Sequence, residues 1–201
     1  MDFLNWIQNL GLVTWVREAP TVLAYPTVLA VHTFGLIFLV GPSLAIDLRI
    51  FGFAPRLPLA PMEKFFPIMW IGFWVNALSG VVLWALNPIT FLATPVFWIK
   101  LVAIGLGVWN MRMLKRRVFG NPANLGARPV LTEGKILAGT SLAYWTVAIY
   151  AGRTSAYLPF VQRQTALALI ILITVAMLLA RFVPLGALGL SRPSEPVPHS
   201  K

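Results

Sequence analysis

The residues from Ala24 to Gly52 form an apolar stretch that is long enough to cross a lipid bilayer as one helix. One histidine, His32, lies near its middle, and the charged residues Asp47 and Arg49 stand close to its end. Four more apolar stretches follow, and only 11% of the residues are charged, against roughly 25% in a soluble domain. Lipid or neighbouring helices must therefore surround most side chains. The chain is predicted to be an all-α, polytopic helical membrane bundle.

Five membrane-spanning helices are predicted from the lengths of these stretches, each near the ~20 residues that a crossing helix needs. They cover residues 21–46, 65–86, 95–113, 136–150 and 165–183. Residues 1–190 then form a single transmembrane helical domain, and residues 191–201, which contain three prolines, form a disordered cytoplasmic tail.

The residues before the first span are amphipathic rather than uniformly apolar. Phe3, Ile7 and Leu10 recur at helical spacing, and the tryptophans Trp6 and Trp15 stand beside them. Short helices of this kind lie in the membrane interface. Residues 2–16 are therefore predicted to form an N-terminal interfacial helix.

The distribution of basic residues predicts the orientation. Twelve of the 16 Lys and Arg residues fall after the first, third and fifth predicted spans, and cytoplasmic loops carry such an excess. The N-terminus is thus predicted outside and the C-terminus in the cytoplasm, with the protein in the bacterial inner membrane. The basic residues of the cytoplasmic loops account for the net charge of +10, so we predict no nucleic-acid partner.

His32 is the first candidate for a ligand site, because an ionisable group deep in a span is costly and usually functional. Tyr25 and Gly35 share its helix face, and a glycine there leaves room for a neighbouring helix or a flat ligand. Three interpretations stay open: a neutral histidine bonded to another helix, an axial ligand of b-type haem, or a metal or proton relay. A haem with two histidine ligands would need a second copy of the chain or another membrane subunit.

Asp47, Arg49 and Asn76 are further polar candidates. Asp47 would stand at the negative pole of the first helix, so a salt bridge with Arg49 or with the basic residues 115–117 is expected to offset this. Asn76 stands between two glycines of the second span, a pattern that favours close helix packing.

Lys100, Arg153 and Tyr157 are predicted on the outer side of the membrane. Glu18 is the one acid near a span on that side, and we expect it to pair with Lys100 or Arg153. Without that pair, the basic residues would form an outward pocket that attracts an anion or a lipid headgroup.

Several short motifs lie between residues 24 and 157. They are Ala24-Tyr25-Pro26, His32 with Gly35, Asp47-Leu48-Arg49 with Gly52, Pro95-x-Phe97-x-x-Lys100, and Gly152-Arg153-x-x-Ala156-Tyr157. Together they resemble the signatures of a bacterial family of small, uncharacterised integral membrane proteins. The chain has a looser similarity to copper-resistance-D-type and b561-like membrane proteins, which place several histidines within helices. The resemblance implies a small multi-pass membrane protein without an assigned activity.

The leading prediction is a non-enzymatic membrane subunit with a ligand or cofactor site around His32, for which haem b is the best single candidate. One alternative is a small carrier or channel for a metal or an anion, with Lys100 and Arg153 at its outer entry. Another is a structural anchor for a periplasmic partner. Cysteine is absent and no catalytic motif is present, so no catalytic residue is predicted. No acid is expected in mid-membrane, which argues against a carboxylate-driven pump.

Overall fold

The structure is a computed structural model, and it describes residues 2–120 and 128–155, together with residues 164, 167–168, 170–171 and 174–175. All the regular elements in these residues are helices, which confirms the all-α prediction. The elements are α1 (Asp2–Gln8), α2 (Gly11–Glu18), α3 (Tyr25–Ile50), a 3-10 helix (Ala60–Lys64), α4 (Phe65–Ala85), α5 (Pro88–Ala93), α6 (Pro95–Val118) and α7 (Arg128–Thr154).

Three long helical stretches are apolar enough to cross a membrane: Tyr25–Ile50, Ala60–Ala85 and Pro95–Val118. They correspond to the first three predicted spans. A proline stands in the first turn of both α3 and α6, where its missing N–H costs no hydrogen bond. The helix α3 continues to Ile50 rather than ending at residue 46, so Asp47 lies inside its last turn.

The prediction of five spans is not met, because three stretches qualify in the part of the chain that the structure describes. The fourth predicted span lies within α7, a helix of 27 residues whose first turns carry Glu133 and Lys135. The hydroxyl groups of Thr140, Ser141 and Tyr144 make its middle too polar to qualify. The fifth predicted span, 165–183, lies mostly outside the described residues, and the tail, 191–201, lies wholly outside them.

Two closely packed helix pairs, α3 with α4 and α6 with α7, make up the bundle, and α3 contacts α7 to join them. Glycines allow α3 and α4 to approach closely. A Cβ atom on Gly35 would lie 2.5 Å from the backbone nitrogen of Asn76, and one on Gly72 would lie 2.7 Å from that of Leu39. The narrow seam predicted around Asn76 is thus the α3–α4 contact.

The bundle has two ends, which we name after the residues nearest to them. At the His32 end α3 and α6 begin and α4 and α7 finish; at the Asp47 end α3 and α6 finish and α4 begins. The main apolar core runs between these ends. Its fully buried large side chains include Leu39, Ile46, Phe66, Met69 and Leu114.

The N-terminal residues form two short helices, α1 and α2, in place of the single helix predicted over residues 2–16. Val13 and Val16 of α2 are buried in a second cluster with Ala85 and Leu86, which follow one another at the end of α4. The two helices therefore pack on the His32 end of the bundle.

Candidate functional site

His32 is bonded to α4 through its side chain and its backbone. Its Nδ1 lies 2.9 Å from the backbone oxygen of Asn76. Because a carbonyl oxygen can only accept, Nδ1 carries the proton in this bond, and in the neutral ring Nε2 then carries the lone pair. Asn76 Nδ2 donates to the backbone oxygen of His32 at 2.8 Å and lies 3.4 Å from His32 Nε2. Both nitrogens of the ring therefore face Asn76.

Two small residues of α4 complete the surroundings of the His32 ring. Ser79 Oγ lies 3.1 Å from His32 Nδ1 and donates its own proton to the backbone oxygen of Val75 at 2.6 Å. A Cβ atom on Gly80 would lie 3.2 Å from His32 Cε1. The ring thus fits into a recess of α4 that a larger residue would fill.

The three residues predicted to hold a cofactor have different surroundings. Gly35 is buried, and the backbone of Asn76 fills the space beside it that a flat ligand would need. Tyr25 lies exposed in the first turn of α3. A haem iron would require the lone pair of His32 Nε2, which faces Asn76 Nδ2. The haem hypothesis therefore stays a prediction, and the arrangement favours a histidine that bonds a neighbouring helix.

Lys100 lies in the second turn of α6, and its side chain runs against α7. Its Cε and Nζ atoms are each 3.5 Å from the position that a Cβ on Gly152 would take. α6 begins at the same end of the bundle as α3, the helix that carries His32. Lys100 and His32 thus occupy the same end of the bundle, one on each helix pair.

Lys100 forms no hydrogen bond or ion pair with any residue that the structure describes. The expected partner, Glu18, instead pairs with Arg17 at 3.0 Å, so that prediction was wrong. Arg153 lies exposed beside Gly152 near the end of α7. Tyr157 lies outside the described residues. Among the described residues, the outer basic group therefore consists of Lys100, which is half-buried and unpaired there, and the exposed Arg153.

Asp47 is 0% exposed, and neither of its carboxyl oxygens lies within hydrogen-bond distance of a donor among the described residues. The predicted salt bridge is absent among the described residues. Arg49 donates instead to the backbone oxygens of Leu57 and Pro55, and Arg117 pairs with Glu133 at 3.2 Å. The chain turns back after Ile50. The Arg49 side chain therefore lies against the loop that contains Pro55 and Leu57 rather than against Asp47.

Two polar contacts near Asp47 were not predicted from the sequence. Ser43 Oγ and Ser141 Oγ lie 3.2 Å apart and join α3 to α7, and the Ser141 hydroxyl also faces Asp47. Asn110 Nδ2 donates to Thr140 Oγ1 at 2.6 Å and joins α6 to α7. The one available signal was that Asn110 interrupts the apolar run between Lys100 and Arg112 in the third span.

Comparisons of this chain with protein-family models, with curated proteins and with solved structures find no match. The resemblance to a family of small integral membrane proteins therefore stays a prediction. Function has to be argued from the geometry of the chain itself.

Proposed function

We propose that the protein binds a small monovalent anion within its membrane bundle and that Lys100 provides the positive charge that binds it. The observation that carries the proposal is the ammonium group of Lys100, which lies beside α7 at the same end as His32 and pairs with no residue in the described part of the chain. The proposal joins the predicted ligand site around His32 to the predicted outward basic pocket. It makes Lys100 the central residue and His32 its neighbour.

A lysine within a membrane bundle is costly unless another charge or hydrogen-bonding group compensates it. No described acid does so, since none of them forms an ion pair with Lys100. The described acids are Asp2, Glu18, Asp47, Glu63 and Glu133. A bound anion would supply the missing charge. One ammonium group, with no second cation bonded beside it, suits a single negative charge better than a phosphate.

The surroundings of Lys100 suggest how an anion would arrive. Arg153 is exposed near the end of α7, where its charge attracts anions toward the bundle. The neighbour of Lys100 on α7 is Gly152, whose lack of a side chain leaves space next to the ammonium group. A metal ion suits this region less well, since no group of three or more His, Cys, Asp or Glu side chains occurs among the described residues.

The proposal includes a placement of the bundle in the inner membrane, with the His32 end outside and the Asp47 end in the cytoplasm. The basic residues of the Asp47 end support this orientation. They include Arg49, Lys64, Arg112, Lys115, Arg116, Arg117 and Lys135. We also propose that α7 crosses the membrane, because its partner over its length is α6, which is apolar enough to do so.

The test is isothermal titration of the detergent-purified protein with sodium chloride, sodium formate and sodium acetate in gluconate buffer. Wild-type protein is expected to bind at least one of these anions, and Lys100→Met is expected to bind none. Lys100→Arg keeps the charge and should retain binding. Lys64→Met is the matched control, because Lys64 is exposed at the other end of the bundle.

Each variant is first shown by circular dichroism and thermal melting to be folded. Absence of binding by folded wild-type protein would overturn the proposal, and so would unchanged binding by Lys100→Met. If binding is found, efflux of the same anion from proteoliposomes decides whether the protein also transports it.

A further inference from the structure

Asp47 is an ionisable residue that the bundle encloses completely. It is 0% exposed, and neither oxygen of its carboxyl group lies within hydrogen-bond distance of a donor among the residues that the structure describes. An ionised carboxylate without donors in such a place carries a large desolvation cost, whereas a neutral carboxyl group carries far less. The geometry therefore favours a carboxyl group that holds a proton.

The charged groups at the same end do not compensate Asp47, because they have other partners or face elsewhere. On α3, Arg49 bonds to loop carbonyls, and on α6, Arg112 stacks on Trp70 and Lys115 on Phe66. Arg117 of α6 pairs with Glu133 of α7. No other described basic side chain of this end forms an ion pair with Asp47; these side chains are Arg56, Lys64, Arg116 and Lys135.

The position of Asp47 along its helix acts in the same direction. It lies in the last turn of α3, at the negative pole of the helix dipole. That pole disfavours a negative side chain and favours a neutral one. Ser141 of α7, bonded to Ser43, is the polar group that faces the carboxyl.

We propose that Asp47 is a proton-binding site of the bundle and that the hydroxyl pair Ser43–Ser141 forms its polar wall. The pair stands one helical turn from Asp47 on α3 and directly across from it on α7, so it can exchange hydrogen bonds with a neutral carboxyl group. The site is about 22 Å along α3 from His32, so it is separate from the anion site and does not depend on it.

Dicyclohexylcarbodiimide tests the proposal, because this apolar reagent modifies protonated carboxyl groups in membrane interiors. The carboxyl proton adds to one nitrogen of the reagent and the carboxyl oxygen to its central carbon. The acyl group then moves from oxygen to nitrogen, which gives a stable N-acylurea. No atom leaves, so the peptide that contains Asp47 gains the mass of one reagent molecule.

Mass spectrometry of the labelled full-length protein in detergent, at about neutral pH, is expected to place the adduct on Asp47. Asp47 should carry roughly tenfold more label than the exposed Glu133. Asp47→Asn should lose the label, and Glu133→Gln, the matched control, should keep it. Raising the pH should decrease labelling, because the reagent requires the proton.

The wild-type measurement is sufficient by itself if Asp47→Asn does not fold. Folded wild-type protein whose Asp47 peptide stays unmodified, while the exposed acids react, would overturn the proposal. Equal labelling of Asp47 and Glu133 would overturn it as well. Labelling of Asp47 in a protein that binds no anion would leave the proton site standing and refute only the proposed function.

Discussion

His32 and Asn76 bond each other reciprocally: Nδ1 of His32 lies 2.9 Å from the backbone oxygen of Asn76, and Nδ2 of Asn76 lies 2.8 Å from the backbone oxygen of His32. Each side chain thus satisfies the backbone of the other residue. In a lipid environment, which offers no water to polar groups, such pairing holds two helices in one register. The histidine therefore joins α3 to α4 and places its ring against Asn76, Ser79 and Gly80 of α4.

Removing the Asn76 side chain should weaken the contact between α3 and α4. We expect Asn76→Leu, which has a similar volume, to lower the free energy of unfolding by about 1–2 kcal/mol, because the bonds from Nδ2 are lost. The measurement is unfolding in mixed micelles, followed by circular dichroism. The double variant of Asn76→Leu and His32→Leu should lose less free energy of unfolding than the sum of the two single losses, since both substitutions remove the same pair.

Thr33→Val is the control for this experiment. Thr33 is exposed and bonds only the backbone oxygen of Leu29 in its own helix, at 2.9 Å, so its replacement should change stability by less than about 0.5 kcal/mol. Strictly additive losses for His32→Leu and Asn76→Leu would contradict the reciprocal pairing.

Adding a methyl group at Gly35 should separate α3 from α4. The new Cβ would lie 2.5 Å from the backbone nitrogen of Asn76, and backbone atoms cannot move aside cheaply. We expect Gly35→Ala to cost about 2–3 kcal/mol of unfolding free energy, within the range of overpacked cores. Gly41→Ala has open space around its Cβ and should be neutral or stabilise α3 by up to about 1 kcal/mol. Equal effects of the two variants in thermal unfolding would refute the close contact.

The three apolar helices were predictable because bilayer thickness determines the length of an apolar run that must cross it. The helix α7 was harder to recognise, since Thr140, Ser141 and Tyr144 reduce its apolar character. The structure shows why two of these hydroxyl groups are tolerated: Thr140 accepts from Asn110 and Ser141 bonds Ser43. The hydrophobicity pattern of a sequence indicates which residues face lipid. It cannot show that two polar side chains bond each other between helices.

The candidate site was predicted less well than the fold, because it depends on how each helix is rotated. His32 and Lys100 were identified from their type and depth alone. Their partners could not be, since the depth of a residue along its helix does not determine which side chain it meets, and only the structure shows that Glu18 pairs with Arg17. For Asp47, the chain reversal after Ile50 carries Arg49 away, a local geometry that no spacing rule contains.

The proposed orientation can be tested with single cysteines, because the chain contains none of its own. Asn87 is exposed at the His32 end and Phe53 at the Asp47 end. In intact cells, a membrane-impermeant maleimide should label Asn87→Cys, and it should label Phe53→Cys only after the membrane is permeabilised. The reverse pattern would contradict the orientation, and labelling of both positions in intact cells would contradict the membrane placement.

The last prediction links the two proposed sites and depends on both of them. An anion bound at Lys100 adds a negative charge about 20 Å from Asp47, which disfavours a second negative charge on that carboxyl group. Anion binding should therefore favour the protonated form of Asp47, and by reciprocity protonated Asp47 should favour anion binding. With an effective dielectric constant near 20, the interaction is about 0.8 kcal/mol, or roughly fourfold in affinity.

The sign of this linkage follows from the proton that Asp47 carries. As the pH rises and Asp47 loses its proton, the affinity for chloride should fall by roughly fourfold beyond any change due to other groups. Titration calorimetry of wild-type protein and of Asp47→Asn at several pH values measures the difference. The variant is uncharged at position 47 at every pH, so its affinity should lack this component. If the affinity for chloride declines identically with pH in both proteins, the Asp47 carboxyl group does not interact with the bound anion. Such an interaction would have to act in both directions.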